Sequence, residues 1–210
     1  MTSGDLADTT IGGFLDSLAA RAPAPGGGAT AALHAAQAAA LISMVARYTS
    51  GPAYADHADL VSRILEDAEA DRAVALALAD ADADAFTAVT EAYALPRGTD
   101  DEQARRSEAI ADALVGAAGP PADVIRTAVA LVALAEALLA VANRNVVTDV
   151  AAATEAARAA ATTARLNVEI NLGGIRDEKV RTELVGIADR VPEVVDRAAA
   201  VELRVRALLR

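Results

Sequence analysis

The chain has 210 residues, a formal net charge of −11 and no cysteine. The charge argues against a nucleic-acid partner, because phosphate backbones are bound by clustered Lys and Arg, and the lack of cysteine excludes disulfides and thiolate chemistry. Apolar residues make up 54% of the chain but aromatic residues only 2%. We therefore predict a single helical domain over residues 1–210, with a core of small side chains and packing that suits an oligomer.

The N-terminus carries no basic stretch that leads into a hydrophobic signal segment. We expect charges to interrupt every apolar run before about 20 residues, and therefore predict a cytoplasmic protein with no membrane partner. The chain has two histidines, His34 and His57, so a metal site built on histidine is not expected. His34 has Gln37 three residues further on and could reach a ligand, although a lone histidine in alanine-rich packing is more often structural.

A short helix is predicted from Thr10, which can cap it, to about Ala20, after a frayed tail over residues 1–9. A stiff turn, Pro23-Ala24-Pro25-Gly26-Gly27-Gly28, then leads into an apolar run. Backbone amides at a helix start attract carboxylates, carbonyls and phosphates, and glycine allows a ligand to lie against the backbone. We therefore predict substrate contacts at Pro25, Gly26, Gly27 and Gly28. The alternative is a flexible loop between two helices.

Further helices are predicted wherever apolar residues recur at helical spacing between Gly, Pro or Asn breaks. The first three predicted ranges are 29–49, 56 or 59 to 95, and 100–118. A helix of about 22 residues follows Gly119-Pro120-Pro121, and another spans 148–172. The last predicted helix runs from 177 to the C-terminus, and Pro192 either kinks it or does not. No run of alternating β-branched residues is present. The sequence therefore predicts an all-α protein, an up-and-down bundle of about seven helices.

Three acidic residues, Asp80, Asp82 and Asp84, alternate with alanines in a stretch of helix-forming residues. Their spacing is that of a calcium-binding EF-hand loop, but Ala85 stands where such a loop needs glycine for a sharp turn. In a helix, Asp82 instead falls on the apolar face that carries Phe86, where partial burial favours the neutral carboxylic acid. Asp82 is thus a candidate general acid or base, and the alternative is a structural hydrogen bond.

Two further groups of polar residues are candidates for ligand contacts. Asn143, Thr148 and Asp149 stand where one helix ends and the next begins, and ordinary helix capping would be enough to explain them. Asn167 and Asn171 lie one turn apart, although asparagine is a weak helix former. Two amides on one face can read the edge of a heteroaromatic ring, or they can bridge two helices. The glycine turn lacks the Gly-Lys-Ser/Thr ending of a P-loop, so nucleotide hydrolysis has no support.

The order and spacing of four separated motifs resemble one known family over nearly the whole chain. The motifs are Phe14-Leu15-Asp16 with the glycine turn and Ser43-Met44-Val45; Asp82 to Phe86 with Ala92-Tyr93-Ala94-Leu95-Pro96; Asn143 to Asp149; and Leu166-Asn167-Val168-Glu169-Ile170-Asn171-Leu172. The family is that of the formiminotetrahydrofolate cyclodeaminases and methenyltetrahydrofolate cyclohydrolases.

This resemblance implies an all-helical homodimer in which a folate lies in a cleft lined by the glycine turn and by Asn143, Thr148, Asp149, Asn167 and Asn171. It implies that Asp82 is catalytic. As a neutral acid Asp82 protonates the nitrogen that leaves as ammonia during cyclodeamination, and as a carboxylate it accepts a proton when water adds to the methenyl carbon. No metal is implied, nor any cofactor beyond the tetrahydrofolate substrate itself. The implied enzyme is an ammonia lyase or a hydrolase of C–N bonds in a cyclic amidine.

The chain also departs from the family's usual pattern. Gly51-Pro52-Ala53 and Gly173-Gly174 stand where the family often has basic residues that could hold a glutamate tail, and Arg97 and Arg144 are candidates to replace them. Two alternatives remain open: an enzyme that cyclises or deaminates a non-folate metabolite, and a non-catalytic helical dimer that only binds or scaffolds. A carboxyl group on an apolar face disfavours the scaffold, because its burial is costly.

Overall fold

The computed structural model describes residues 6–210, and all regular secondary structure in that range is helical, as predicted. The α-helices are α1 (Ile11–Ala19), α2 (Gly27–Tyr48), α3 (Ala58–Ala94), α4 (Asp100–Leu139), α5 (Val147–Leu172), α6 (Glu178–Ala188) and α7 (Val191–Leu208). Short 3-10 turns at Leu6–Asp8, Pro52–His57 and Arg144–Val146 precede α1, α3 and α5. The predicted tail thus contains one such turn, and residues 1–5 lie outside the described range.

Four long helices, α2 to α5, form a closed ring in which each contacts the next and α5 contacts α2. Neighbours run antiparallel. Arg47 near the end of α2 pairs at 3.0 Å with Glu69 in the first half of α3, and Arg106 near the start of α4 donates at 3.1 Å to the carbonyl of Tyr93 at the end of α3. α6 and α7 both pack against α4 and α5. The ring is the up-and-down arrangement that the sequence predicts.

α2 is the core helix of the ring, and alanine dominates its buried sides. Ala29, Ala31, Ala32, Ala35, Ala38 and Ala39 are fully buried, and such small side chains let the neighbouring helices approach closely. No Asp, Glu, Lys or Arg occurs from Gly27 to Ala46, so the expectation that charges interrupt every apolar run is wrong here. By length and composition alone α2 could cross a membrane, but 61% of its most apolar window is buried inside the protein, as in a core helix.

α4 corrects the sequence prediction, because Gly119-Pro120-Pro121 lies inside one continuous helix and does not separate two. A proline lacks the N–H that bonds the carbonyl four residues back, so Pro121 leaves the oxygen of Ala117 without its helical partner. The side chain of Asn171 on α5 donates to this oxygen at 3.4 Å. Contact with α5 thus supplies the missing donor, and the helix continues through the prolines.

The C-terminal region is divided where the sequence left open only a kink. α6 ends at Ala188 and α7 begins at Val191, so Pro192 occupies the first turn of a new helix, where its missing N–H removes no helical bond. Arg197 on α7 donates to both carboxylate oxygens of Glu136 on α4, at 3.0 and 2.7 Å. These bonds lower the pKa of Glu136 and help to hold α7 against the ring.

Candidate active site

A cavity of about 350 Å³ opens where the N-terminus of α2 meets α3, α4 and α5. It brings together six residues that the sequence singled out: Gly26, Gly27, Gly28, Asp82, Asn167 and Asn171. The rest of its lining is mainly apolar and consists of Pro23, Ala24, Phe86, Val89, Tyr93, Leu114, Ala117 and Ile170. An apolar cavity on which a few polar groups converge is the usual form of a small-molecule site.

Asp82 projects from α3 toward the start of α2. The continuous helix around it agrees with the rejection of a calcium-binding loop. Burial raises the pKa of Asp82 above its ordinary value. The backbone amide of Ala29 donates a hydrogen bond to the carboxylate, which favours the charged form and offsets part of that rise. Asp82 therefore holds its proton to a higher pH than a carboxyl group in water does, at a position that borders the cavity.

The glycine turn presents bare backbone to this carboxyl group. Gly26 is the N-cap residue of α2 and has no side chain to cap the helix, so Asp82 supplies the capping oxygen from α3. A Cβ atom at position 28 would overlap the Asp82 carboxyl group, whereas one at position 27 would lie 3.8 Å from Nδ2 of Asn167. Glycine at position 28 is therefore required for this close approach, which the alternative of a flexible loop does not explain.

Asn167 and Asn171 line the cavity from successive turns of α5. Nδ2 of Asn167 donates to the carbonyl of Thr163 at 2.9 Å, and Nδ2 of Asn171 donates to the carbonyl of Asn167 at 2.8 Å as well as to Ala117. The Oδ1 atoms of both residues receive no hydrogen bond from any residue in the described range. Asn171 thus bridges two helices, as one of its two predicted roles requires, and its contact with a substrate ring stays a prediction.

Only part of the apolar wall of the Asp82 cavity is predictable from the sequence. Phe86, Val89 and Tyr93 follow Asp82 at helical spacing, which was a readable signal that they share its face. No sequence pattern indicates that α4 and Ile170 form the rest of the wall, because their positions depend on how the helices pack. Tyr93 is 52% exposed and Ile170 80%, so the mouth of the cavity is apolar and accessible.

Asn143 lies at the opposite end of α2, where it joins α2 to the start of α5. Its backbone amide donates to Oγ1 of Thr49 at 3.1 Å and its Nδ2 donates to the carbonyl of Tyr48 at 2.8 Å. Its Oδ1 accepts from the amide of Asn145 at 3.0 Å. Within this chain, therefore, Asn143 makes the capping bonds that the sequence gave as its alternative role.

Thr148 and Asp149 follow in the first turn of α5. α2 has 22 residues, which at 1.5 Å each separate its two ends by about 30 Å. The fold of this chain therefore does not bring Asn143, Thr148 or Asp149 to the Asp82 cavity.

Pro25 and His34 also stand outside the cavity lining. Pro25 borders a neighbouring surface groove together with Asp80 and Asp84. His34 places Nδ1 at 3.3 Å from Oε1 of Gln37, on the outward side of α2. Along residues 6–210, no three His, Asp or Glu side chains are grouped closely enough to hold a metal ion.

Known proteins resemble this chain in sequence and in fold. Residues 10–190 match the family model described as formiminotransferase-cyclodeaminase. A methenyltetrahydrofolate cyclohydrolase from Methylorubrum extorquens is 38% identical over 175 residues, which cover 83% of this chain and 84% of that protein. A formimidoyltransferase-cyclodeaminase from Mus musculus is 37% identical over 174 residues, which cover 82% of this chain but only 32% of that protein. The crystal structure of a formiminotetrahydrofolate cyclodeaminase from Thermotoga maritima matches with a TM-score of 0.81 at 31% identity and covers 97% of each chain.

Proposed function

Because the chain belongs to the formiminotransferase-cyclodeaminase family, we propose that it is an enzyme that hydrolyses methenyltetrahydrofolate, with the reacting ring in the Asp82 cavity. The observation that carries the proposal is the partly buried Asp82 carboxyl group, with its raised pKa, against a bare glycine backbone. A folate ring is flat and aromatic, which suits apolar walls with few polar groups. The comparisons do not favour a non-folate substrate or a non-catalytic dimer.

The hydrolytic reaction needs a group that accepts a proton and then returns it. Water adds to the cationic methenyl carbon, and the Asp82 carboxylate accepts the proton that the water loses. The bond from that carbon to N5 then breaks, Asp82 protonates N5, and the hydroxyl proton leaves to solvent, so the carbon stays on N10 as a formyl group. A raised pKa suits both halves, because it makes the carboxylate a stronger base and keeps the acid form accessible at a higher pH than for an ordinary carboxyl group.

The same carboxyl group suits cyclodeamination of formiminotetrahydrofolate, which is the activity named for the Thermotoga maritima protein. In that reaction N10 attacks the formimino carbon, and the proton that N10 loses passes to the formimino nitrogen. Asp82 as a neutral acid supplies the second proton, so this nitrogen leaves as ammonia and the methenyl cation remains. Both reactions pass through a tetrahedral carbon held between N5 and N10. One cavity can therefore serve both, and we propose cyclodeamination as the second candidate activity.

Asn167 and Asn171 are proposed to orient the ring. Their Oδ1 atoms are acceptors, and the aminopyrimidinone edge of a pterin carries N–H donors that match them. The amides of Gly27 and Gly28 at the start of α2 have no helical acceptor, so they can donate to a ring carbonyl. Contacts of both kinds would hold the reacting carbon beside Asp82.

Replacing Asp82 by Asn tests this proposal, because asparagine keeps the shape and one acceptor but cannot transfer the proton. Loss of the near-ultraviolet absorbance of methenyltetrahydrofolate measures hydrolysis, and ammonia release measures cyclodeamination. We expect Asp82→Asn to lower kcat about 100-fold or more. Asp84→Asn is the matched control, since Asp84 is exposed on the same helix, and it should keep its rate within about twofold. Full activity in Asp82→Asn would refute the proposed role.

We further propose a homodimer that forms through the outward face of α2. That face is at least partly exposed and carries Leu33, Gln37, Ala40, Met44 and Tyr48. Beside it, α1 buries none of its residues and leaves Ile11 82% exposed and Leu15 54%. An apolar stripe shared by a core helix and a loosely packed one suits contact with the same stripe on a second copy.

A second copy whose α2 runs antiparallel to the first would set the C-terminal end of one α2 beside the glycine turn of the other. Thr148 and Asp149 follow the Asn143 segment at that C-terminal end. In such a dimer they would therefore lie near the Asp82 cavity of the partner. The substrate contacts that the sequence predicts for these residues would then be made across the dimer.

Mixing two impaired variants tests this arrangement. Asp82→Asn and Asp149→Asn should each have little activity alone, whereas a heterodimer carries one intact site. An equimolar mixture, unfolded and refolded together, should therefore regain about a quarter of wild-type activity, and light scattering should show a dimer. No recovery in a mixture that is dimeric would place the complete site within one protomer.

A further inference from the structure

A second cavity, of about 340 Å³, lies beside the Asp82 cavity, and Tyr93 and Leu114 belong to the walls of both. Its lining also contains two guanidinium groups, those of Arg106 on α4 and of Arg176 in the turn after α5, and no acidic residue. In a chain with a net charge of −11, two arginines at one cavity without a carboxylate among its lining residues are unusual.

Neither guanidinium group forms an ion pair with a carboxylate in the described part of the chain. Arg106 donates through Nε and Nη2 to the carbonyl of Tyr93, at 3.3 and 3.1 Å, and lies 5.5 Å from the centre of the Tyr93 ring. Arg176 donates to the hydroxyl of Ser107. Since each guanidinium group has five N–H donors, both keep donors for a ligand and both keep an uncompensated positive charge.

The two arginines are held in place by local structure. Ile175 is 2% exposed and anchors the turn that carries Arg176, and the Gly174 backbone lies so close to α4 that a Cβ atom there would overlap Leu114. Arg181 closes the end of α5 by donating to the carbonyl of Leu172 at 3.1 Å. The turn is thus packed against the wall that separates the two cavities.

We propose that Arg106 and Arg176 form a carboxylate subsite that binds the acidic tail of a substrate whose ring lies against Asp82. This inference rests on the proposed function, because a folate joins its ring to a glutamate through an aromatic p-aminobenzoyl group. That apolar group would cross the shared wall of Tyr93 and Leu114. Two fixed guanidinium groups would then receive the carboxylates, which they bind in a bidentate geometry that lysine cannot match.

The test compares methenyltetrahydrofolate with methenyltetrahydropteroate, which has the same ring and aromatic group but no glutamate. For the wild-type protein, the pteroate substrate should have a KM at least about tenfold higher and a similar kcat. Arg106→Gln combined with Arg176→Gln should raise the KM for the folate by about the same factor and leave the KM for the pteroate unchanged. Arg176→Lys keeps the charge and should recover part of the folate affinity.

Arg105→Gln is the matched control, because Arg105 is exposed on the same helix and does not line either cavity. It should behave as wild type, and circular dichroism should show that all the variants are folded. Equal KM values of the wild type for both substrates, or equal KM changes for both in the double variant, would overturn the subsite.

A binding measurement separates this inference from the proposed function. If the wild type turns over neither substrate, the proposed function fails, and titration calorimetry with p-aminobenzoylglutamate then decides the subsite alone. Binding that the double variant loses would support it, and no binding to the wild type would overturn it.

Discussion

Asparagine side chains lie beside both ends of α2, but the two ends differ in how many side-chain hydrogen-bonding groups remain unpaired. At the C-terminal end, Asn143 uses its backbone amide, Nδ2 and Oδ1 in bonds to neighbouring residues. At the N-terminal end, the side chains of Asn167 and Asn171 use only Nδ2 in hydrogen bonds, and they border a cavity with Asp82. The first end is a structural joint within the chain, and the second has polar atoms to offer a ligand.

This difference teaches that residue type alone does not distinguish a joint from a binding site. All three asparagines lie in motifs that the family resemblance associates with substrate. Only the bonds in the folded chain show which polar atoms are already satisfied. Substitutions at the two ends should therefore differ in kind: at the joint they should change stability, and at the cavity they should change the reaction.

The largest effect should come from Gly28→Ala at the cavity end. The new methyl group would push the Asp82 carboxyl group away from the amide of Ala29, so we expect kcat/KM for methenyltetrahydrofolate to fall about 100-fold. The control is Gly186→Ala on α6, where a Cβ atom meets nothing within 4 Å. It should keep wild-type rates and gain up to about 1 kcal/mol of stability. Wild-type rates in Gly28→Ala would show that the close approach is not needed.

Asn143→Ala should act at the joint and lower the free energy of unfolding by about 2 kcal/mol, because it removes two side-chain hydrogen bonds. Urea denaturation followed by circular dichroism measures this loss. Asn145→Ala is the control, since the bond of Asn145 to the joint uses its backbone amide, and it should change stability by less than about 0.5 kcal/mol. Equal losses in the two variants would contradict the assignment of the joint to the Asn143 side chain.

Asn167→Ala should give a smaller effect of the opposite kind. We expect KM to rise about fivefold to tenfold, because a single acceptor for the ring is lost, and the melting temperature to change by less than about 2 °C. Steady-state kinetics and a thermal melt on the same preparation separate the two effects. Thr162→Ala, which alters an exposed hydroxyl on α5, should leave KM unchanged. A large loss of stability with an unchanged KM would show that Asn167 has a structural role, like Asn143, and does not bind the substrate.

The smallest effect concerns the pH dependence of stability. Burial raises the pKa of Asp82 in the folded protein, so its charged form opposes folding above that pKa and has no such effect below the ordinary value of 3.8. Asp82→Asn should therefore raise the melting temperature by about 1–3 °C at pH 7. The difference from wild type should shrink as the pH falls toward 4, which thermal melts across that range would show. A difference that stays constant with pH would mean that the charge is not its cause.

Local signals predicted most of the helix boundaries. α4 begins at Asp100 because Thr99 and Glu102 form reciprocal bonds at its start, at 3.1 and 3.2 Å. Asp177 caps α6 by accepting from two amides of its first turn. Capping of this kind depends on residues two or three apart, so the sequence alone contains the information.

The sequence prediction was wrong where a distant contact decides the outcome. Pro120 and Pro121 predict a break, but the helix passes through them. Asn171, 50 residues further along the chain than Pro121, donates to the oxygen that Pro121 leaves unbonded. The candidate site shows the same limit. The side of α3 on which Asp82 lies follows from helical periodicity, whereas the placing of Leu114, Ile170 and the two arginines follows from packing between helices.

Pro121 has a further consequence for redesign of the substrate range. An alanine in its place would return an amide hydrogen to the α4 backbone, and the oxygen of Ala117 would be drawn back into the helical ladder. The carboxamide of Asn171 would then lose its bond to α4 and keep only its bond to the carbonyl of Asn167 on its own helix. A substitution at one buried residue outside the cavity lining could thus change the orientation of the Asn171 side chain. Substrate selectivity could then be altered without replacing any residue that lines the cavity.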